Sequence, residues 1–180
     1  MILIINVCKD KLSEKEFVLP VQEEVKRASF KSFTKHYKEL YEEDFLDADK
    51  IIICGTALQD FDYLKDINYF NWLKGCKKPV LGICAGMQII GKIFGCEIQE
   101  KETIGQTEVK TTMQNDLTDE EKFYAYFLNS KSLKISKDFE ILVRGKEVEG
   151  IIKHKSKRMW GCLFHPEVMN SEILVRFCEL

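Results

Sequence analysis

Proline is scarce in this sequence, three residues in 180, and no Ser/Gly-rich stretch, low-complexity segment or repeat interrupts it. Nothing therefore reads as a linker, and a single domain over residues 1–180 is expected, long enough to bury a substantial core. Long apolar runs are also missing. Met1 to Val7 is apolar but far too short to cross a bilayer, and it carries neither a basic leader nor a small-residue cleavage site. It is expected to be a buried strand of a cytoplasmic protein. There is no excess of one charge: 27 Lys and Arg offset 29 Asp and Glu, interspersed along the chain. A basic patch that would hold nucleic acid or an anionic membrane is accordingly not expected. G-x-G-x-x-G, P-loop and metal-ligand spacings are absent as well, so no cofactor and no metal are expected.

Cysteine, by contrast, is plentiful. Cys8, Cys54, Cys76, Cys84, Cys96, Cys162 and Cys178 are odd in number and contain no C-x-x-C pair, while His36, His154 and His165 are scattered. Zinc sites use closely spaced pairs, so free thiols in a reducing compartment, behaving as small hydrophobes, are the simplest account of most of them.

The first half alternates apolar runs with amphipathic stretches. Strands are expected at 2–7, 29–34, 50–54 and 79–83, and helices at 20–28 and 37–46, with helical spacing among Leu64, Ile67, Phe70 and Leu73. A helix from Cys84 to Phe94 stops at Gly95. That alternation implies a mostly parallel sheet covered on both faces. The second half reads as successive strands at 96–112, 123–128, 139–145, 148–154 and 159–164, an antiparallel extension, closed by a short helix from Ser171. The expected class is α/β, with a mixed, mostly parallel central sheet.

Gly82-Ile-Cys84-Ala-Gly86 follows an apolar strand and opens a helix. This is G-x-C-x-G, the thiol form of a nucleophile elbow. A sharp strand-to-helix turn strains the nucleophile's backbone, and the residues two positions to either side must be small to permit the approach. The turn leaves Cys84 at a helix N-terminus, where unpaired N–H groups and the helix dipole favour anionic sulfur. The Ala85 N–H faces a developing oxyanion there. The loop Cys54-Gly55-Thr56-Ala57, after a buried strand, is a candidate for the second oxyanion donor. Gln88 lies one turn after Cys84 on the same helix face, within reach of a polar substrate. His165-Pro-Glu167, 81 residues beyond Cys84 and again after an apolar run, supplies a base and a group to fix its tautomer. Covalent acyl transfer by Cys84, His165 and Glu167 is the reaction class these residues suit.

Leu81-Gly-Ile-Cys-Ala-Gly-Met-Gln88 followed by Phe164-His-Pro-Glu167 resembles the class I, triad-type glutamine amidotransferases, and the resemblance covers nearly the whole chain. It implies a three-layer α/β/α, flavodoxin-like fold. It also implies hydrolysis of the glutamine side-chain amide through a thioester on Cys84, with ammonia handed to a partner synthase. His165 would be the general base and acid and Glu167 its orienting partner. Gly55 and Ala85 would be the backbone oxyanion donors, Gln88 a glutamine contact, and Ser130 of Asn129-Ser130 a second one. Thr103-Ile-Gly-Gln-Thr-Glu-Val109 is further similar to the separate glutaminase subunit of GMP synthetase. The chain departs from the family at Gly55-Thr56-Ala57-Leu58, where relatives carry a Gly-Gly-Pro-Gly type loop, at Ala85, often Tyr or Leu, and at Asn129, often His. Two other readings of the same residues stay open: a stand-alone hydrolase of γ-glutamyl compounds, and a non-catalytic relative that binds a partner.

Overall fold

A computed structural model describes residues 1–180. The strands are β1 (Ile2–Asn6), β2 (Ser32–His36), β3 (Lys50–Ile53), β4 (Val80–Ile83), β5 (Glu97–Thr111), β6 (Lys122–Lys134), β7 (Phe139–Gly145), β8 (Glu149–His154) and β9 (Met159–Cys162). The helices are α1 (Lys11–Phe17), α2 (Leu19–Arg27), α3 (Glu42–Asp47), α4 (Asp62–Lys65), α5 (Ala85–Ile93), α6 (Pro166–Met169) and α7 (Ser171–Glu179). All nine strands join one sheet in the order β2-β1-β3-β4-β9-β8-β7-β5-β6. The first five are parallel, and the pairings from β9 onward are antiparallel. The antiparallel extension thus contributes four of the nine strands.

Burial explains the division. Every residue of β1 and β4 is buried, as befits strands covered on both faces by helices. α2 packs with α1, α6 and α7, while α5 lies on β3, β4 and β9 beside a 3-10 segment at Ile67–Lys74. β6 instead alternates: Phe123, Ala125, Phe127 and Asn129 are buried, and Tyr124 between the first two is exposed. One continuous apolar core unites the sheet and its helices. No helix is long and apolar enough to cross a membrane.

Several elements differ from the sequence expectation, each for a local reason. Ser29 adopts φ 67° and closes α2 in a Schellman arrangement, Phe30 N–H donating to Val25 O (3.1 Å) and Ser29 N–H to Lys26 O (2.9 Å). The following strand therefore starts at Ser32 rather than at residue 29. The expected 37–46 helix is a 3-10 turn at Tyr37–Glu39 and then α3, because Leu40 and Tyr41 are extended and the Asp44 carboxylate caps the Tyr41 N–H at 2.9 Å. The helical spacing of 64–73 resolves into α4 and the 3-10 segment. α1 has no clear apolar period to announce it in the sequence; it buries only Phe17. β6 runs six residues past the expected strand end at 128, so Asn129 and Ser130 sit within a strand.

Candidate active site

β3, β4 and β9 are adjacent and parallel, so their C-terminal ends share one edge of the sheet. Gly55 follows β3, Cys84 follows β4 and His165 follows β9. Sequence positions far apart are brought together by the topology alone, at the place where open α/β sheets bind ligands.

Cys84 has φ 50° and ψ −101° and is buried. A side chain rarely adopts this conformation, which carries strain of roughly 1–3 kcal/mol. The turn is held by Cys84 N–H donating to Cys162 O (2.7 Å) and by Gln88 N–H donating to Cys84 O (3.1 Å). The flanking glycines are needed for space. A methyl group on Gly86 would overlap the Ile53 carbonyl oxygen, and one on Gly82 would overlap the Gly86 backbone and stand 2.7 Å from Met87 N. Strand and helix touch backbone to backbone here, and the Cys84 turn is the consequence.

His165 is fixed from several directions. Its backbone N–H donates to Tyr126 O at 2.8 Å, and its ring lies 5.6 Å from that of Phe17. Nδ1 is 2.8 Å from Glu167 Oε1, and both side chains are almost fully buried. Glu167 reaches back because Pro166 starts α6 and places Glu167 in its first turn. The pairing assigns the Nδ1 hydrogen to Glu167 and leaves Nε2, which has no other partner, free to exchange a proton. Burial opposes the imidazolium, but the Glu167 carboxylate and the Cys84 sulfur beside it prevail and hold the His165 pKa well above the usual histidine range. Burial meanwhile pushes the thiols of Cys54 and Cys162, which line the same region, well above the usual value, so they stay neutral and apolar.

Gly55 lies beneath this pair. A methyl at Gly55 would stand 2.9 Å from His165 Cε1 and 3.4 Å from Cys84 Cβ, so Gly55 leaves no room for a side chain against either residue. Gly55 and Thr56 are buried, and neither gives its backbone N–H to an acceptor in the protein. Ala85 occupies the first position of α5, where helical N–H groups lack intrahelical partners. Gln88 is buried and already engaged, accepting from Tyr63 Oη–H at 2.6 Å and donating to Lys131 O at 3.0 Å. Ser130 Oγ donates to Leu58 O at 3.2 Å and ties β6 to the loop after β3.

β6, last in the sheet order, returns over this edge. Leu128 O lies 3.6 Å from Cys84 Sγ, Tyr126 O holds His165, and Lys131 O holds Gln88. Between β6, α5 and the 55–61 loop lies a pocket lined by Thr56, Cys84, Ala85, Gln88 and Asn129 among others. Its free space is about 10 Å³, at the lower limit of what holds one water molecule. Sequence reasoning does not single out Phe17, Tyr63 or Asp60, none of which carries a motif, and it names Thr56 only as part of the loop after Cys54.

A family model for class I glutamine amidotransferases matches residues 18–176. A subunit of the glutamine-hydrolysing GMP synthase of Methanococcus maripaludis is 34% identical over 129 residues, 66% of this chain and 68% of that protein. Its counterpart from Methanocaldococcus jannaschii is 35% identical over 130 residues, 66% of this chain and 69% of that protein. Among solved structures, a Thermoplasma acidophilum protein described as a GMP synthase subunit superposes with a TM-score of 0.85 at 16% identity, covering 99% of this chain and 92% of that one. A Thermotoga maritima glutamine amidotransferase gives 0.71 at 16% identity, covering 92% and 75%. With a strained cysteine at a strand–helix elbow facing a carboxylate-bound histidine, and with a family model matched over most of its length, this chain belongs to the class I glutamine amidotransferases.

Proposed function

We propose that Cys84, His165 and Glu167 form a catalytic triad that hydrolyses the side-chain amide of L-glutamine, and that the ammonia passes to a separate synthase subunit, that of a GMP synthase. The observation that carries this reading is the unpartnered, buried Nε2 of His165 beside Cys84, with Nδ1 bound to Glu167 at 2.8 Å.

Cys84 gives its thiol proton to His165 Nε2 as its sulfur adds to the amide carbon, and the carbonyl oxygen becomes an oxyanion that accepts from the Ala85 N–H and from an N–H of the loop after β3. His165 Nε2 delivers a proton to the leaving nitrogen, the C–N bond breaks, and ammonia and a γ-glutamyl thioester result. A water molecule then gives its proton to His165 and attacks the thioester carbon. The C–S bond breaks, the proton on His165 returns to the Cys84 sulfur, and glutamate leaves. Glu167 keeps the imidazole in the required tautomer and offsets its charge in both steps. Gln88 and Ser130 line the substrate pocket.

A pocket with about 10 Å³ free is far smaller than a glutamine side chain, so the 55–61 loop or β6 must move before substrate enters. Such a closed pocket suits a site that opens when a partner binds. The test is glutamate release from glutamine by the purified chain and by Cys84→Ala, each by itself and with the synthetase subunit of a GMP synthase, with GMP formation followed in parallel. Release that depends on Cys84 and rises with the synthetase is expected. A high rate without the synthetase, unaltered when it is added, would favour the stand-alone hydrolase, and release by the alanine variant would remove the mechanism.

A further inference from the structure

The loop after β3 is irregular from Cys54 to Phe61, yet its backbone must present an N–H to the oxyanion with sub-ångström accuracy. Its anchors are few and specific. Thr56, 4% exposed, turns its hydroxyl away from solvent and donates to Asp60 Oδ2 at 2.7 Å. The same oxygen accepts the backbone N–H of Lys9 at 2.8 Å, from the loop after β1. Asp60 Oδ1 accepts from Asp62 N–H at 3.2 Å, and Asp60 N–H donates to Ala57 O at 2.9 Å. One carboxylate thereby joins both ends of the turn to the neighbouring strand end. On the opposite side Gly55 O accepts from Cys8 Sγ at 3.7 Å. Burial pushes the Cys8 thiol up to about 11, so it keeps its proton to donate.

These contacts also orient a particular peptide. In a trans peptide the C=O and the following N–H point in opposite directions. With Gly55 O directed at Cys8, the Thr56 N–H points away from Cys8. Thr56 lines the pocket together with Cys84 and Ala85, and its N–H has no acceptor in the protein.

Resting on the triad reading above, we propose that Thr56 and Asp60 are positioning residues, a side-chain staple that sets the Thr56 N–H as the second oxyanion donor. The hydroxyl–carboxylate bond fixes a loop that has no regular secondary structure to fix it. Asp60 touches no reacting atom; it acts through Thr56 and through the Lys9 N–H.

The experiment compares wild type, Thr56→Val, Thr56→Ser and Asp60→Ala in the full chain, with the synthetase subunit present. Steady-state glutamine hydrolysis, thermal midpoint and the rate of Cys84 alkylation by iodoacetamide are measured for each. Alkylation forms no oxyanion, so it reports the thiol and His165 but not the donor. Thr56→Val, which keeps the side-chain shape and loses the hydroxyl, should lower kcat by about 10- to 100-fold with KM within about threefold. Its alkylation rate should match wild type. Thr56→Ser, which restores the hydroxyl, should regain most of the lost kcat, and Asp60→Ala should resemble Thr56→Val. A Thr56→Val variant with wild-type kcat, or a Thr56→Ser variant as impaired as Thr56→Val, overturns the staple. So does a parallel fall in alkylation, which would mean general disruption of the site. No Cys84-dependent glutamate release from wild type overturns the triad reading itself, and the staple with it.

Discussion

Gly55→Ala tests the geometry of the site through one added methyl group. The backbone of Gly55 does not occupy the left-handed region, so alanine brings no conformational strain, and the residue keeps its N–H. The effect is therefore steric. The new carbon would stand 2.9 Å from His165 Cε1, 3.4 Å from Cys84 Cβ and 3.5 Å from Phe17 Cδ1. Only the first is too close, and relief to 3.4 Å requires the imidazole to retreat by ~0.5 Å. The ring cannot swing freely, because Glu167 holds Nδ1 and Tyr126 O holds the backbone. Part of the displacement is absorbed by the loop and part by His165 and Cys84. Overpacking of this kind costs about 1–2 kcal/mol, which lowers the melting midpoint by roughly 3–6 °C in a chain of this size. A misplacement of about 1 Å costs on the order of 100-fold in rate, so about half that distance should cost roughly tenfold in kcat/KM. Glutamate release by Gly55→Ala is the assay, with Gly95→Ala beside it. Gly95 has φ 83° and no neighbour within 4 Å of its would-be methyl, so that variant should lose about 1 kcal/mol of stability and no activity. Full activity and an unchanged melting midpoint for Gly55→Ala would refute the contact between Gly55, His165 and Cys84.

Three further outcomes follow from the same site. Cys84→Gly should be more stable to urea than Cys84→Ala by about 1–2 kcal/mol, since φ 50° strains alanine and not glycine, while both lack glutaminase activity; equal stability would show that the turn is unstrained. In Glu167→Gln the carboxylate that supports the imidazolium is gone, so the His165 pKa falls and the alkaline limb of the activity profile moves to lower pH; a limb in its wild-type place would contradict the pairing. Gln88→Met leaves the buried Tyr63 hydroxyl without its acceptor and removes one of the two donors to Lys131 O, the other being Asn129 Nδ2, and should cost about 1–3 kcal/mol in denaturant titration; a loss below about 0.5 kcal/mol would mean the lost bonds are replaced by water.

The parts of this molecule legible in its sequence are those encoded locally. The apolar runs of β1, β3 and β4 and the G-x-C-x-G turn each declare themselves within a few residues, and the elbow glycines are required by the backbone contact with Ile53 and Gly86. His165 and Glu167 are legible because a turn beginning with proline brings neighbours two apart face to face. What stays hidden depends on contacts between distant segments. Asp60 accepts from Lys9 N–H across 51 positions. Tyr63 matters because it meets Gln88 across 25 positions. The break at Leu40–Tyr41 follows from a carboxylate cap that overrides the helical propensity of the acidic stretch around it. The extent of β6 is hidden too, since a polar Asn129-Ser130 pair interrupts the apolar alternation while the pairing with β5 continues past it.

The two halves of the sheet make separate contributions, and the site needs both. Parallel pairing of β3, β4 and β9 brings the 55–61 loop, Cys84 and His165 to one edge, in a register where Ile83 faces Cys162 and the Cys84 turn hangs from the Cys162 carbonyl. That half can hold a strained cysteine because its strands are buried on both faces and cannot relax. It leaves the edge open above the sulfur, however. The antiparallel half closes it: β6 comes back over the elbow and places Tyr126 O on His165, Leu128 O on Cys84 and Lys131 O on Gln88. These are backbone groups of one strand, so a shift of β6 along its length would release base, thiol and pocket wall together. The pocket beside Cys84 is nearly closed at rest, and its walls come from both halves: the 55–61 loop and α5 from the parallel half, and Leu128 to Lys131 of β6 from the antiparallel one.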